Sequence, residues 1–218
     1  MAGAPTVLAL GVWSPEQVEA RWLEKAYEPP DEVERMADQK IEELRRRGSP
    51  AHDGLAARLA AFDSSPRRLR LELQPSRWSL RLLDGDASYS LTALCVVRSP
   101  DGRWLAGRRA AWLATWAKRW ALGAGGAVDL GESPTRTLTR ELQEEWQLVP
   151  ERLSVEALLA LPSGVAMLVA VATVPDDAEP VPDDEHDEWA WWPAEVSRWP
   201  DDANPQLRSV GELLSGRA

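Results

Sequence analysis

Three glutamates past the middle of the chain, Glu141, Glu144 and Glu145, have the type and spacing to do chemistry. On a helix, i, i+3 and i+4 spacing puts them on one side, where like charges repel. A helix that carries all three needs a positive partner. Oxygen donors of this kind suit Mg²⁺ or Mn²⁺, hard cations usually held by a few carboxylates together with substrate phosphates. Just upstream, Gly125, Gly126 and Gly131 permit tight turns and close approach of the backbone to a ligand or ion. A glycine-rich turn that feeds a three-carboxylate helix points to metal-assisted attack of water on a phosphate anhydride.

The helix that must position these acids is well marked. Ser133 is the expected cap, Pro134 occupies an early position where its missing N–H is harmless, and Leu138, Leu142 and Trp146 form a core-facing stripe. The order is Gly126, five residues, Glu132, seven residues, Arg140-Glu141-Leu142, one residue, Glu144-Glu145, two residues, Leu148. This pattern closely resembles the signature of the Nudix hydrolase family. Gln147 departs from it, because that position is glycine in the family. A glycine there lets a helix end in a left-handed conformation, which costs another residue about 1 kcal/mol. With Gln147 the expectation is a helix that runs on to about Leu148, without positive φ, until Pro150 forces the exit.

The resemblance implies an α/β fold, an α/β/α sandwich around a mixed sheet. It implies a substrate in which a nucleoside diphosphate is linked to another moiety. Glu141, Glu144 and Glu145 would hold the divalent metal, joined by the backbone carbonyl of Gly125 or Gly126. Arg140 would orient these carboxylates, and Glu132 would support the turn-to-helix geometry. The general base would be Glu144 or Glu145, or Glu185 in a later loop. Basic residues ahead of the glycine turn, Arg108, Arg109 and Lys118, become candidates for substrate phosphates. Trp189 and Trp191, two apart on one side of a short strand, become candidates to line the cavity. Relatives that isomerise isopentenyl diphosphate use a cysteine near the glycine turn, and residues 120–128 contain none. The alternative to an enzyme is a silent Nudix-fold module that binds nucleotides or regulates, although such modules usually lose the acids that are intact here.

The whole chain sets outer bounds. Its 218 residues suffice for one large domain or a domain with an extension, and a formal net charge of −10 disfavours a nucleic-acid duplex or an anionic membrane as partner. A phosphorylated small molecule remains the expected partner. One cysteine, Cys95, lies in an apolar run; it excludes an intrachain disulfide and fits a buried thiol in a reducing cytoplasm. The N-terminus has neither a basic region nor an unbroken apolar stretch, so no signal peptide is expected. Twelve tryptophans stand against one Phe and two Tyr, either as core aromatics or as partners of a planar ligand.

The expected organisation is a mainly helical extension over 1–65, with no catalytic constellation, and a catalytic domain over 66–218. The extension would pack on the domain or serve a homodimer. Within it, helices are expected from Ser14-Pro15-Glu16 to Pro29, from Asp31 to about Arg47, and over 52–62, with His52 solvated. From Arg68 the period switches, and residues 69–75, 78–84 and 90–98 read as strands. Ser99-Pro100-Asp101-Gly102 marks a hairpin. Strands follow over 153–161 and 165–174, then an acidic loop with a solvated His186, a strand near 189–192, a short helix near 194–199, and a last helix capped at Asn204.

Overall fold

The computed structural model describes residues 4–49, 53–83 and 89–216. Eleven strands and three α-helices are assigned among them: β1 (Thr6–Trp13), β2 (Val18–Trp22), α1 (Asp31–Arg46), β3 (Leu55–Ser65), β4 (Arg68–Arg77), β5 (Leu91–Arg98), β6 (Trp104–Arg109), β7 (Trp120–Leu122), β8 (Ala124–Ala127), α2 (Pro134–Trp146), β9 (Arg152–Ala160), β10 (Ala166–Thr173), β11 (His186–Trp192) and α3 (Pro205–Ser215). The large sheet runs β1-β9-β10-β5-β6-β11, with β7 on β6 and β8 on β5. β10 and β5 are parallel, whereas the neighbouring pairs are antiparallel, so the sheet is mixed as expected.

Each face of this sheet carries a helix. Leu138, Leu142 and Trp146 of α2 share one core with Leu91, Ala93, Cys95 and Leu168. Burial and the nearby Glu145 charge push the Cys95 thiol up to about 12, so it stays an inert core group. On the other face, Leu207, Val210 and Leu214 of α3 pack with Trp104, Trp120, Trp192 and Trp199. Six of the twelve tryptophans are therefore buried in the core: Trp13, Trp104, Trp120, Trp146, Trp192 and Trp199. Trp104 and Trp199 meet edge to face with centroids 5.4 Å apart.

A second sheet, ordered β2-β4-β3, contributes Leu59, Leu69, Leu71 and Leu73 to the α2 core. It is tied to the region before α2 by Ala57 N–H to the Val128 carbonyl at 2.7 Å and by Trp22 Nε1 to the Glu132 carbonyl at 3.0 Å. Among the described residues of 1–65 there are one α-helix, α1, and three strands, β1, β2 and β3, which corrects the expectation of a mainly helical extension.

Several local expectations fail for identifiable reasons. Val18 and Trp22 are four apart, which satisfies a helix, but four is also even, and the segment is the parallel strand β2. Residues 55–62 are rich in Ala, Leu and Arg, which are good helix formers. They nevertheless form β3, because β4 offers a ladder along the whole length, from Leu55 opposite Arg77 to Ser65 opposite Arg68. Trp78–Leu82 is a 3₁₀ turn in place of a strand, and Val196–Arg198 is likewise 3₁₀. His52 lies outside the described residues.

Gln147 is a clear correction. It adopts φ 54°, ψ 30°, and α2 ends at Trp146. The Gln147 N–H reaches the Gln143 carbonyl at 3.0 Å, and the left-handed exit turns Leu148 into the core, where it is 3% exposed. Burying a leucine is worth about 1.5–3 kcal/mol, which outweighs the left-handed strain. No helix among the described residues is long and apolar enough to cross a membrane. Gln147→Gly should remove the strain and raise stability by up to about 1 kcal/mol. Urea titration would show this as a higher midpoint at unchanged slope.

Candidate active site

The helix α2 begins as the sequence indicates. Ser133 Oγ accepts the Arg136 N–H, and Pro134 follows the cap. One turn further, Arg140 ties the helix back to the turn that precedes it. Its Nε and Nη2 each lie 3.0 Å from an oxygen of Glu132, a two-point contact of the geometry that arginine makes best. Thr137 Oγ1 donates to the same carboxylate at 2.7 Å. Burial alone would raise Glu132, but these donors hold its carboxyl below the ordinary value. The third nitrogen, Nη1, reaches Glu141 at 2.8 Å and Glu144 at 2.9 Å.

The acids differ sharply in environment. Glu144 is 59% exposed, whereas the Glu145 side chain is only 5% exposed. Glu145 accepts the Gly125 N–H at 3.2 Å. Its carboxyl is raised well above the ordinary value, first by burial and then by Glu141, with Arg109 and the Gly125 N–H opposing. Glu141 is raised by burial against the pull of Arg140, and both Glu144 and Glu185 push it further. Glu185 is raised by burial too, against Arg109, whose Nη2 lies 3.2 Å from it. The loop before β11 thus puts Glu185 within electrostatic reach of Glu141 and Glu145. Gly126 is needed for close approach, since a Cβ there would overlap the Glu141 carboxylate.

The donor set is all oxygen and too negative for its burial, which fits a hard divalent cation. Among the described residues, no three acidic, His or Cys side chains already converge as a metal site. The reason is visible at Arg140, whose Nη1 draws both Glu141 and Glu144 onto itself. The Gly126 carbonyl accepts the Thr92 hydroxyl at 2.6 Å, and Gly126 lies opposite Ala93 in the β5–β8 ladder.

His186, expected in solvent, is a correction. Its side chain is 1% exposed and lies against Trp146, with ring centroids 4.5 Å apart. Nδ1 is 3.0 Å from Asp183, and Nε2 has no hydrogen-bond partner, lying 3.7 Å from Glu145. Burial lowers its pKa despite Asp183, so the ring is neutral and its bare Nε2 faces a carboxylate oxygen. The ring fits because position 107 is glycine; a Cβ there would strike both His186 and Trp146. A register shift between His186 and Glu188 breaks the alternation along β11, so an even–odd count would have put His186 on the Trp192 side, away from Trp146.

A cavity of about 380 Å³ opens beside Glu145. Arg109, Thr92, Gly125 and His186 line it near the acids, while Trp116, Leu161, Met167 and Leu207 line it farther along. Arg109 is thus placed with the acids. Arg108 and Lys118 are not; they border a separate hollow with Arg119 and Asp202, and Arg108 pairs with Glu188 at 3.3 Å. Trp189 is 38% exposed with its edge toward Trp146, and Trp191 lies under the Arg103 guanidinium. Neither is among the residues lining the cavity beside Glu145. Trp116 lines it instead, held at φ 57°, and no sequence pattern singled it out.

Residues 88–214 match the family model of the NUDIX domain. The chain belongs to the Nudix family. The match contains the entire Nudix box, and the enzyme class is that of a Nudix-type hydrolase of acid anhydrides. Solved structures with this fold include a MutT protein from Methanosarcina mazei, 23% identical over 59% of this chain and 93% of that one, at a TM-score of 0.46. A putative Nudix hydrolase family member from Chromobacterium violaceum is 22% identical over 62% of this chain and 80% of its own, at 0.48. A MutT Nudix hydrolase from Burkholderia pseudomallei is 24% identical over 57% and 97%, at 0.47. No curated protein matches the sequence.

The elevated Glu145 has a measurable consequence. Between the ordinary glutamate value of 4.5 and its own higher value, the folded protein holds a proton that the unfolded chain has released. Stability without metal should therefore fall as pH rises through that window. Glu145→Gln should flatten this slope and leave the metal-free protein at least as stable at neutral pH. Thermal melts of both proteins in chelator across pH would show it, and equal slopes would contradict the elevation.

Proposed function

We propose that this Nudix hydrolase uses Mg²⁺ or Mn²⁺ to cleave the phosphate anhydride of a nucleoside diphosphate linked to another moiety. The observation that carries the reading is a nearly closed-off Glu145 carboxylate beside an open cavity, with Glu141 and Glu185 near enough to disfavour its charge further. A buried acid beside other acids is poised for a compensating cation. Glu141, Glu144 and Glu145 would hold it, with the Gly126 carbonyl as a further oxygen donor. Bound there, the metal supplies a Lewis acid for phosphate oxygens and activates water for attack.

The protein's own residues have separable tasks. Arg140 keeps Glu132, Glu141 and Glu144 in one orientation. Arg109, balanced by Glu185, presents a guanidinium to a substrate phosphate. Glu185 lies near the carboxylate cluster on a loop, and its raised pKa suits a group that takes a proton from water. The far part of the cavity, with Trp116, Leu161, Met167 and Leu207, offers a flat apolar surface for the rest of the substrate. The buried single cysteine and the negative net charge are compatible with a cytoplasmic enzyme of small molecules.

The experiment is a screen of nucleotide sugars, dinucleotides, nucleoside triphosphates and ADP-ribose with Mg²⁺. Hydrolysis should vanish with chelator and return with Mg²⁺ or Mn²⁺. Glu145→Gln should stay folded and lose several orders of magnitude in kcat. Equal turnover in the two folded proteins would remove Glu145 from the mechanism. No turnover in the wild type, with nucleotide binding retained, would favour the silent module.

A further inference from the structure

The family match starts at residue 88, yet a side chain from before that point reaches the cavity. Arg81 lies on the 3₁₀ turn Trp78–Leu82, and that turn is firmly anchored. Asp53 Oδ1 accepts the Ser79 N–H at 3.0 Å, and its other oxygen takes Nε of Arg77 at 3.0 Å. Arg77 also reaches Asp38 of α1 at 2.7 Å. Leu80 and Leu83 are buried with Ala37 of α1, with Tyr27 and Val33 packed against them. A 3₁₀ turn sends successive side chains about 120° apart. With Leu80 committed to α1, its neighbour Arg81 leaves in another direction, and it lines the cavity with Arg109, Thr92 and Glu145.

Its surroundings there are unusual for an arginine. Among the described residues Arg81 makes no ion pair or hydrogen bond; its contact is the Trp78 ring, 5.7 Å away. Burial and the charge of Arg109 pull its pKa down to about 10, with Glu141 opposing. Arg109 has Glu185 as a partner, but among the described residues Arg81 has no ion-pair partner. Two guanidiniums lining one cavity repel until an anion joins them, and a phosphate accepts from both in their natural fork geometry.

We propose that Arg81 is a substrate-binding residue, carried by the N-terminal segment, that clamps the substrate's diphosphate together with Arg109. The segment before residue 88 then completes the active site. The clamp rests on the anhydride-hydrolase reading for the identity of its anion, but it can be tested apart from turnover.

Full-length wild type, Arg81→Ala, Arg81→Lys and a control at the exposed Arg152, Arg152→Ala, would be compared. Calorimetry with inorganic pyrophosphate and with ADP, each with Mg²⁺, measures binding, and steady-state kinetics on the best substrate of the screen measures turnover. Arg81→Ala should weaken pyrophosphate and raise KM by about tenfold or more, the usual loss for a charge-assisted hydrogen bond. The effect on kcat should be smaller. Arg81→Lys should recover part of both losses, and Arg152→Ala should match the wild type. Melting temperature should not fall in Arg81→Ala, because an unpaired cation has left a confined site. Unchanged pyrophosphate affinity and KM in Arg81→Ala would overturn the clamp while leaving hydrolysis intact. If the wild type hydrolyses nothing but binds pyrophosphate through Arg81, the clamp stands and the hydrolase reading falls. If Arg81→Ala does not fold, Arg81→Lys decides alone, since wild-type KM and affinity there, with the fork geometry lost, would overturn the proposal.

Discussion

A carboxylate almost closed off from water has to be compensated, and Glu145 imposes that requirement on everything around it. Burial, Glu141 and Glu185 all disfavour its charge, against Arg109 and the Gly125 N–H. The surrounding architecture keeps this unfavourable group in place. The Arg140–Glu132 contact locks the helix to its incoming turn, so the acids cannot swing away from one another. Gly126 and Gly107 give up side chains to make room for Glu141 and His186. Strain concentrated in this way is what a site poised for a cation looks like before the cation is counted.

The site was more legible in the sequence than the scaffold that delivers it. Glu132, Arg140 and the helix acids are local, within one turn and one helix, so spacing alone determines which side chains can meet. Ser133, Pro134 and Asn204 act through backbone groups next to them, and their caps form as expected. His186 and Trp116 depend on contacts across the sheet, and nothing in their immediate neighbours reveals them. Arg81 was hidden for a similar reason: its direction is set by α1, which buries Leu80 far from it in sequence.

The N-terminal segment shows the limit of pattern reading most clearly. Alanines and arginines in β3 favour a helix by intrinsic preference, and a long antiparallel partner overrides them. Gln147 teaches the same lesson on a smaller scale. A penalty of about 1 kcal/mol was a sound reason to expect a longer helix. It did not include Leu148, whose burial is available only after the chain turns.

The edge strand β1 has a further consequence, one that belongs to synthesis. It pairs with β9, which begins only at Arg152, so β1 leaves the ribosome well before its partner is made. At 5–20 residues per second that wait is on the order of ten seconds. Throughout it, Trp13 lacks its burial, and Val7, Leu10 and Val12, which remain exposed even in the finished fold, present an unpaired apolar strand. That interval ends only with β9, after α2 has been made, and whatever shields nascent strands in the cell bears on how much of this protein survives.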